Sequence, residues 1–168
     1  ALSSHDLSEI KFYNFIVGDF AGIENVIISA TGYTGSGGFE IYCKNNEVKQ
    51  IWDKVTEAGA KPIGLAARDT LRLEMGYCLY GNDIDDKTTV LEADLGWILK
   101  LKKKVDFNGK EILKQQKAEG TSRKLVGFEM LDKGIARHGY PVFVNDIEVG
   151  QVTSGTFAPY LQKNIGLA

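Results

Sequence analysis

Hydrophobic positions fall into two rhythms along the 168 residues, one of period two and one close to 3.6. Lys11 to Gly18 (Lys-Phe-Tyr-Asn-Phe-Ile-Val-Gly) is dense in aromatic and β-branched residues and predicts a strand. Val26 to Ala30 predicts a second. In Phe39-Glu40-Ile41-Tyr42-Cys43-Lys44 the alternation puts Phe39, Ile41 and Cys43 on one face and Glu40, Tyr42 and Lys44 on the other. The rhythm then changes. From Asn46 to Ala58, Val48, Ile51, Trp52 and Val55 recur at helical spacing, which predicts a helix laying one face on a sheet and ending at Gly59. A shorter helix is expected over Leu65 to Met75, stopped by Gly76, and the polar stretch 82–89 reads as a loop.

Leu95 to Leu101 alternates again around Trp97 and predicts a further strand. Asn108 with Glu111 three residues on fits a capping box opening a helix that reaches about Ala118. Beyond Gly120 the texture becomes short strand-like runs, 124–130, 141–144, 148–153 and 165 onward, separated by Gly, Asn-Asp and Pro turns. Such regular short strands suggest a small antiparallel barrel or sandwich. The boundary is expected between about 100 and 122, giving one domain over 1–100 and a second over 101–168. The first residues read as a polar-capped helical turn, with Ser4 or Asp6 as the cap.

Composition narrows the function classes. With 43% hydrophobic and 25% charged residues the chain can bury a real core. Its net charge of −2 lacks the basic excess of a nucleic-acid or membrane-surface binder. No apolar run reaches the roughly 18 residues needed to span a bilayer, and the N-terminus lacks the basic and apolar regions of a signal peptide. The two cysteines, Cys43 and Cys78, are too far apart in sequence to read as a metal pair, and a reducing compartment suits them.

Candidate chemistry centres on the turn Ala30 to Gly38 and the strand after it. Gly32, Gly35, Gly37 and Gly38 could cradle a phosphate, but Gly37 is followed by Gly38 and Phe39 where a Walker loop needs Lys and Ser or Thr. A dinucleotide fingerprint would need glycine where Glu40 stands. The plainer reading is a turn that needs positive φ. A third is a turn setting strand register so that Tyr33 and Glu40 face one pocket. Glu40 itself is either a solvated sheet residue or a bidentate acceptor for two adjacent N–H donors on a flat heterocycle.

Arg68 and Arg72, four apart on a helix, repel mildly, so an anion is expected to compensate at least one. Tyr33 and Tyr80 each offer a ring face and a hydroxyl. Asp83, Asp85 and Asp86 lack the calcium-loop pattern, because Lys87 stands at a ligand position. His138 has no nucleophile motif near it. The lysines at 100 and 102–104 read as a solvated face. No metal site is expected.

Ala30-Thr-Gly-Tyr-Thr-Gly-Ser-Gly-Gly-Phe-Glu-Ile-Tyr42 and Gly64-Leu-Ala-Ala-Arg-Asp-Thr-Leu-Arg-Leu-Glu-Met-Gly76 resemble the folate-binding core of the glycine cleavage T-protein family. Tyr80 to Asp85, Val152 to Phe157 and Lys163-Asn164-Ile165 resemble it in the same order. The resemblance implies an α+β fold, a partial ferredoxin-like folate-binding subdomain followed by a small antiparallel β-barrel. It implies tetrahydrofolate as cofactor and the lipoylated H-protein as partner. The lipoyl-bound aminomethyl group would pass to folate, releasing ammonia. Glu40 would hold the pterin and Arg68 would contact folate, with Tyr33, Tyr80 and Arg72 as further cofactor-binding candidates.

The family's assisting aspartate belongs to a part expected to lie upstream of this chain. No catalytic residue is therefore assigned here, and the 168 residues alone are expected to be catalytically silent. A bacterial cytoplasm or a mitochondrial matrix fits this family. Two rivals stay open: the folate-binding C-terminal part of a dimethylglycine- or sarcosine-oxidising enzyme, and a non-catalytic binding module.

Overall fold

The computed structural model describes residues 2–168, which divide into two compact units, one running up to Leu71 and the other from Arg72 to Ala168. The fold class is α+β, with three α-helices and antiparallel sheets.

In the first unit, Asp6 caps a one-turn 3-10 helix, Leu7–Glu9, by accepting from the Ser8 amide at 3.0 Å. Strands β1 (Phe15–Phe20), β2 (Ile23–Ser29) and β3 (Glu40–Tyr42) form an antiparallel sheet in that order. β1 starts later than its aromatic run suggests. Tyr13 sits at φ 63° and the Asn14 amide turns back to the Lys11 carbonyl, so the chain cannot be extended there. The register pairs Ile16 with Ile28 and Ile28 with Ile41, which puts these three on one face. That face meets helix α1 (Val48–Glu57). Phe20, Val26, Ile28 and Ile51 form the buried cluster, and Ile16, Ile41, Cys43 and Val55 pack against it. The apolar stripe of α1 is narrower than its spacing suggests, since Val48 and Trp52 are more than half exposed. The helix ends at Ala58, and Gly59 at φ 100° takes the left-handed position a side chain would resist.

Helix α2 (Leu65–Glu74) runs through the division between the units. The second unit continues with α3 (Lys110–Glu119) and strands β4 (Gly127–Glu129), β5 (Pro141–Val144), β6 (Ile147–Gln151), β7 (Ser154–Ala158) and β8 (Lys163–Leu167). β5 and β6 form a hairpin turned by Asn145 and Asp146, both at positive φ, as a tight primed turn demands. The other three strands make a separate sheet in the order β4-β8-β7. These five strands do not close into a barrel; β4 and β7 remain as edges among the described residues.

Three local expectations need correction. Leu95 to Leu101 is not a strand: Asp94 at φ 57° breaks the chain, and Gly96–Ile98 coils into a 3-10 turn with Trp97 exposed. Asn108 does not cap α3. Gly109 takes the N-cap position at φ 81° with no side-chain cap. The run 148–153 does not continue as one strand either. The Val152 amide donates to Tyr140 and the Thr153 amide to Leu167, so the chain leaves the hairpin there and enters the other sheet as β7. On that sheet Gly155 and Gly166 are cross-strand partners packed tightly. A Cβ on Gly155 would strike the Ala136 carbonyl, and one on Gly166 would strike the Phe128 ring and the Ser154 carbonyl.

Candidate functional site

The residues expected to bind a ligand separate between the two units, and each group has its own physical setting. In the first unit, the loop from Ala30 to Phe39 joins β2 to β3, with Gly35, Gly37 and Gly38 at φ 70°, 73° and 109°. This is the plainer of the glycine readings: side chains there would be strained, so the loop conformation depends on glycine. Glu40 is the first residue of β3, opposite Ser29. Its Oε2 accepts a hydrogen bond from the Thr31 hydroxyl, which lies 3.0 Å from the Ser29 hydroxyl. One hydroxyl hydrogen cannot serve two acceptors. Thr31 gives its own to the carboxylate and can accept from Ser29, so a short chain of hydroxyls steadies one carboxylate oxygen. Glu40 remains exposed.

Arg68 lies in the first turns of α2, with its backbone amide on the Gly64 carbonyl at 3.3 Å. Its guanidinium carbon sits 4.3 Å from the centroid of the Tyr33 ring. That is close enough for cation–π attraction, and Arg68 stays exposed to solvent. The structure thus brings Tyr33 and Arg68 together. It ties Glu40 to Thr31 instead.

In the second unit, Tyr80 is 70% exposed on the loop after α2, where it forms a bridge with Ile84. Arg72 is a different matter. It is 1% exposed. Its Nη1 donates to Asp83 Oδ2 at 2.7 Å and to the Tyr77 carbonyl at 3.0 Å, and its Nη2 donates to the Ser154 hydroxyl at 2.9 Å. Asp83 Oδ2 also accepts from the Leu79 amide at 2.7 Å, and its Oδ1 accepts from the Thr153 hydroxyl at 2.6 Å. Every one of these partners belongs to the protein. A guanidinium enclosed in this way supports the loop that carries Tyr80, a structural setting unlike that of exposed Arg68.

The anion that compensates an arginine of this pair is therefore Asp83. No sequence rule at helical spacing points eleven residues ahead. Beside it, burial pushes the Cys78 thiol up from its ordinary value, and the Asp83 carboxylate adds to the rise. A raised thiol is a poor nucleophile at neutral pH.

No group of three or more His, Cys, Asp or Glu side chains stands ready for a metal ion among the described residues. No helix among them is long and apolar enough to cross a membrane. The residues present do fit a flat heterocycle with adjacent N–H donors and an anionic tail. Glu40 offers an open carboxylate oxygen, Tyr33 an aromatic face, and Arg68 an exposed guanidinium.

Comparison with known proteins identifies the family. The family model for the GCVT N-terminal domain matches residues 1–103, and that for the glycine cleavage T-protein C-terminal barrel domain matches 123–168. An aminomethyltransferase of Bacteroides thetaiotaomicron is 57% identical over 171 residues, which covers 99% of this chain and 47% of the relative. One from Geobacillus sp. is 52% identical over 173 residues, with the same coverage. The crystal structure of glycine cleavage system aminomethyltransferase T from Bartonella henselae superposes with a TM-score of 0.87 at 32% identity. That match covers 96% of this chain and 45% of the other. The chain spans about half the length of the curated relatives it matches. With one family model covering more than half of its residues and a second covering its C-terminal strands, the chain belongs to the glycine cleavage T-protein family, whose relatives are named aminomethyltransferases.

Proposed function

We propose that this chain supplies the tetrahydrofolate-holding half of an aminomethyltransferase. In the whole protein, the aminomethyl group carried by a lipoylated H-protein passes to tetrahydrofolate, releasing ammonia. The reading is supported above all by the Glu40 carboxylate, anchored through one oxygen by Thr31 and open at the other. Glu40 accepts the paired N–H donors of the pterin edge as a charge-assisted, bidentate contact. Arg68, spread over Tyr33, neutralises an anionic part of the same ligand. Tyr80 stays a candidate ligand contact by the family resemblance alone, and Arg72 with Asp83 fixes the loop that carries it.

Bound folate supplies the nitrogen that accepts the one-carbon unit. The residues of this chain bind and orient it, which is where positioning contributes to such a transfer. Residues 1–100 would form the folate-binding part and 101–168 the barrel domain. The bacterial relatives suit a cytoplasmic setting.

The test is turnover in a protein of the relatives' full length. Glu40→Ala should raise the KM for tetrahydrofolate by about tenfold to a hundredfold, the loss of one charge-assisted contact. The KM for the lipoylated carrier should hold. An unchanged folate KM would remove Glu40 from the site.

A further inference from the structure

The loop that presents Glu40 is held firmly at one end only. At its start Ala30 is buried, its amide donates to the Asn14 carbonyl at 2.9 Å, and its carbonyl accepts from the Tyr13 amide at 3.0 Å. Thr31 therefore leaves the sheet from a fixed backbone. At the other end the chain reaches Glu40 through Gly37 and Gly38, both at positive φ, where nothing lies within 4 Å of the place a Cβ would take. Two open glycines leave the approach to β3 with wide conformational freedom. Glu40 is also the last rung of its ladder, since the β2–β3 pairing stops at Ser29 and Glu40.

The Thr31 hydroxyl bridges these two ends, nine residues apart in sequence, by donating to Glu40 Oε2. Threonine suits this task better than serine. Its β-branch restricts χ1, so the half-buried side chain holds its hydroxyl in a set direction. The Ser29 hydroxyl, 3.0 Å away, supplies the hydrogen that Thr31 accepts, and a donor that itself accepts is polarised and strengthened. Each carboxylate oxygen carries two lone pairs, so the Thr31 contact orients the group and still leaves acceptor capacity for a ligand.

We propose that Thr31 is a positioning residue for ligand binding, acting through Glu40 by fixing the plane in which the carboxylate meets the ligand's paired N–H donors. That role rests on the assignment of Glu40 to the pterin edge, and adds the group that aims it. A bidentate contact depends on direction. A carboxylate free to rotate has to be ordered when the ligand arrives, and that ordering opposes affinity.

The experiment measures kcat and both KM values in a protein of the relatives' full length that contains this chain. Thr31→Val keeps the branched shape without the hydroxyl, and Thr31→Ala removes the hydroxyl without crowding the loop. Each should raise the KM for tetrahydrofolate about threefold to tenfold, the usual contribution of one hydrogen bond. The kcat and the KM for the lipoylated carrier should hold, the pattern of lost binding and not of lost folding. Thr31→Ser keeps the donor and should bring the folate KM back to within about twofold of wild type. Over Glu40→Ala, Thr31→Val should change the folate KM by less than about twofold, because the group it aims is already gone. A threonine that served only the loop's stability would act equally in both backgrounds and would lower the active fraction.

Should Thr31→Val fail to fold, Thr31→Ala takes its place in each comparison. An unchanged folate KM in these variants, no restoration by Thr31→Ser, or an equal rise over Glu40→Ala would overturn the positioning role and leave Glu40 in the site. An unchanged folate KM in Glu40→Ala itself would overturn both assignments.

Discussion

Replacing Asp83 by asparagine keeps the shape of the side chain and removes its charge. In the folded protein Asp83 accepts from Arg72, from the Leu79 amide and from the Thr153 hydroxyl, and its side chain is 0% exposed beside an arginine side chain that is 1% exposed. The substitution takes away the buried carboxylate that the Arg72 guanidinium meets at 2.7 Å. Breaking a buried pair from one side costs about 3–5 kcal/mol, a large share of the 5–15 kcal/mol that typical domains possess. Ser154→Ala removes one neutral partner of the same guanidinium and should cost less, about 1.5 kcal/mol, the lower end for a hydrogen bond to a charged group.

The double substitution Arg72→Met, Asp83→Leu should cost less than the sum of the singles, because it leaves no unpaired charge. Urea unfolding measures these differences through the midpoint at constant slope. Hydrogen exchange at the Leu79 amide follows the loop itself, and should quicken in Asp83→Asn. An Asp83→Asn protein within about 1 kcal/mol of wild type, with Leu79 still protected, would refute the reasoning, because a desolvated guanidinium cannot lose its partner that cheaply.

Other consequences rest on particular contacts. The Thr89 amide, and after it Arg123, hold the Glu92 carboxyl below its ordinary value of 4.5. A depressed carboxylate contributes stability that is full above that value and fades as pH falls through the lower folded one, so Glu92→Gln should flatten acid unfolding below about pH 4.5 and matter most at neutral pH. Urea midpoints between pH 3 and 7 check the sign. Gly155→Ala should cost about 1–3 kcal/mol, because its methyl meets the Ala136 carbonyl. Gly150→Ala, open and at an ordinary φ, should be neutral or slightly stabilising; thermal melts of the pair compare them. Burial should also make Cys78 slow to alkylate at pH 8, with its rate still rising well above that pH. A rate already at its plateau there would contradict the assignment.

Much of this was legible in the sequence where local rules operate alone. The alternation around Ile41 assigned the core face of β3, and the helical spacing of Ile51 and Val55 found the buried side of α1. The Asn145-Asp146 pair announced the β5–β6 turn. Failures came where distant groups decide. Leu95 to Leu101 alternates like a strand, yet Asp94 at φ 57° turns the chain just before it and Gly96–Ile98 coils. β7 was hidden because the chain changes sheets at Val152 and Thr153, and that change depends on Tyr140 and Leu167.

The candidate site divides in the same way. Glu40 at the head of β3 and Arg68 on α2 could be named from sequence, with the Tyr33 ring as a neighbour. The role of Thr31 depends on a cross-loop hydroxyl contact that no spacing encodes. Arg72 could be seen to need an anion, but only the folded loop shows that Asp83 is that anion.

The account stands or falls on whether a reduced folate rests on the Glu40 carboxylate and the Arg68 guanidinium. Isothermal titration of 5-formyltetrahydrofolate into wild type, Glu40→Ala and Arg68→Ala measures this directly. Binding heat in wild type that is lost or sharply reduced in both variants is the expected result. Equal heats in all three proteins, or saturable binding undiminished by Glu40→Ala, would contradict it.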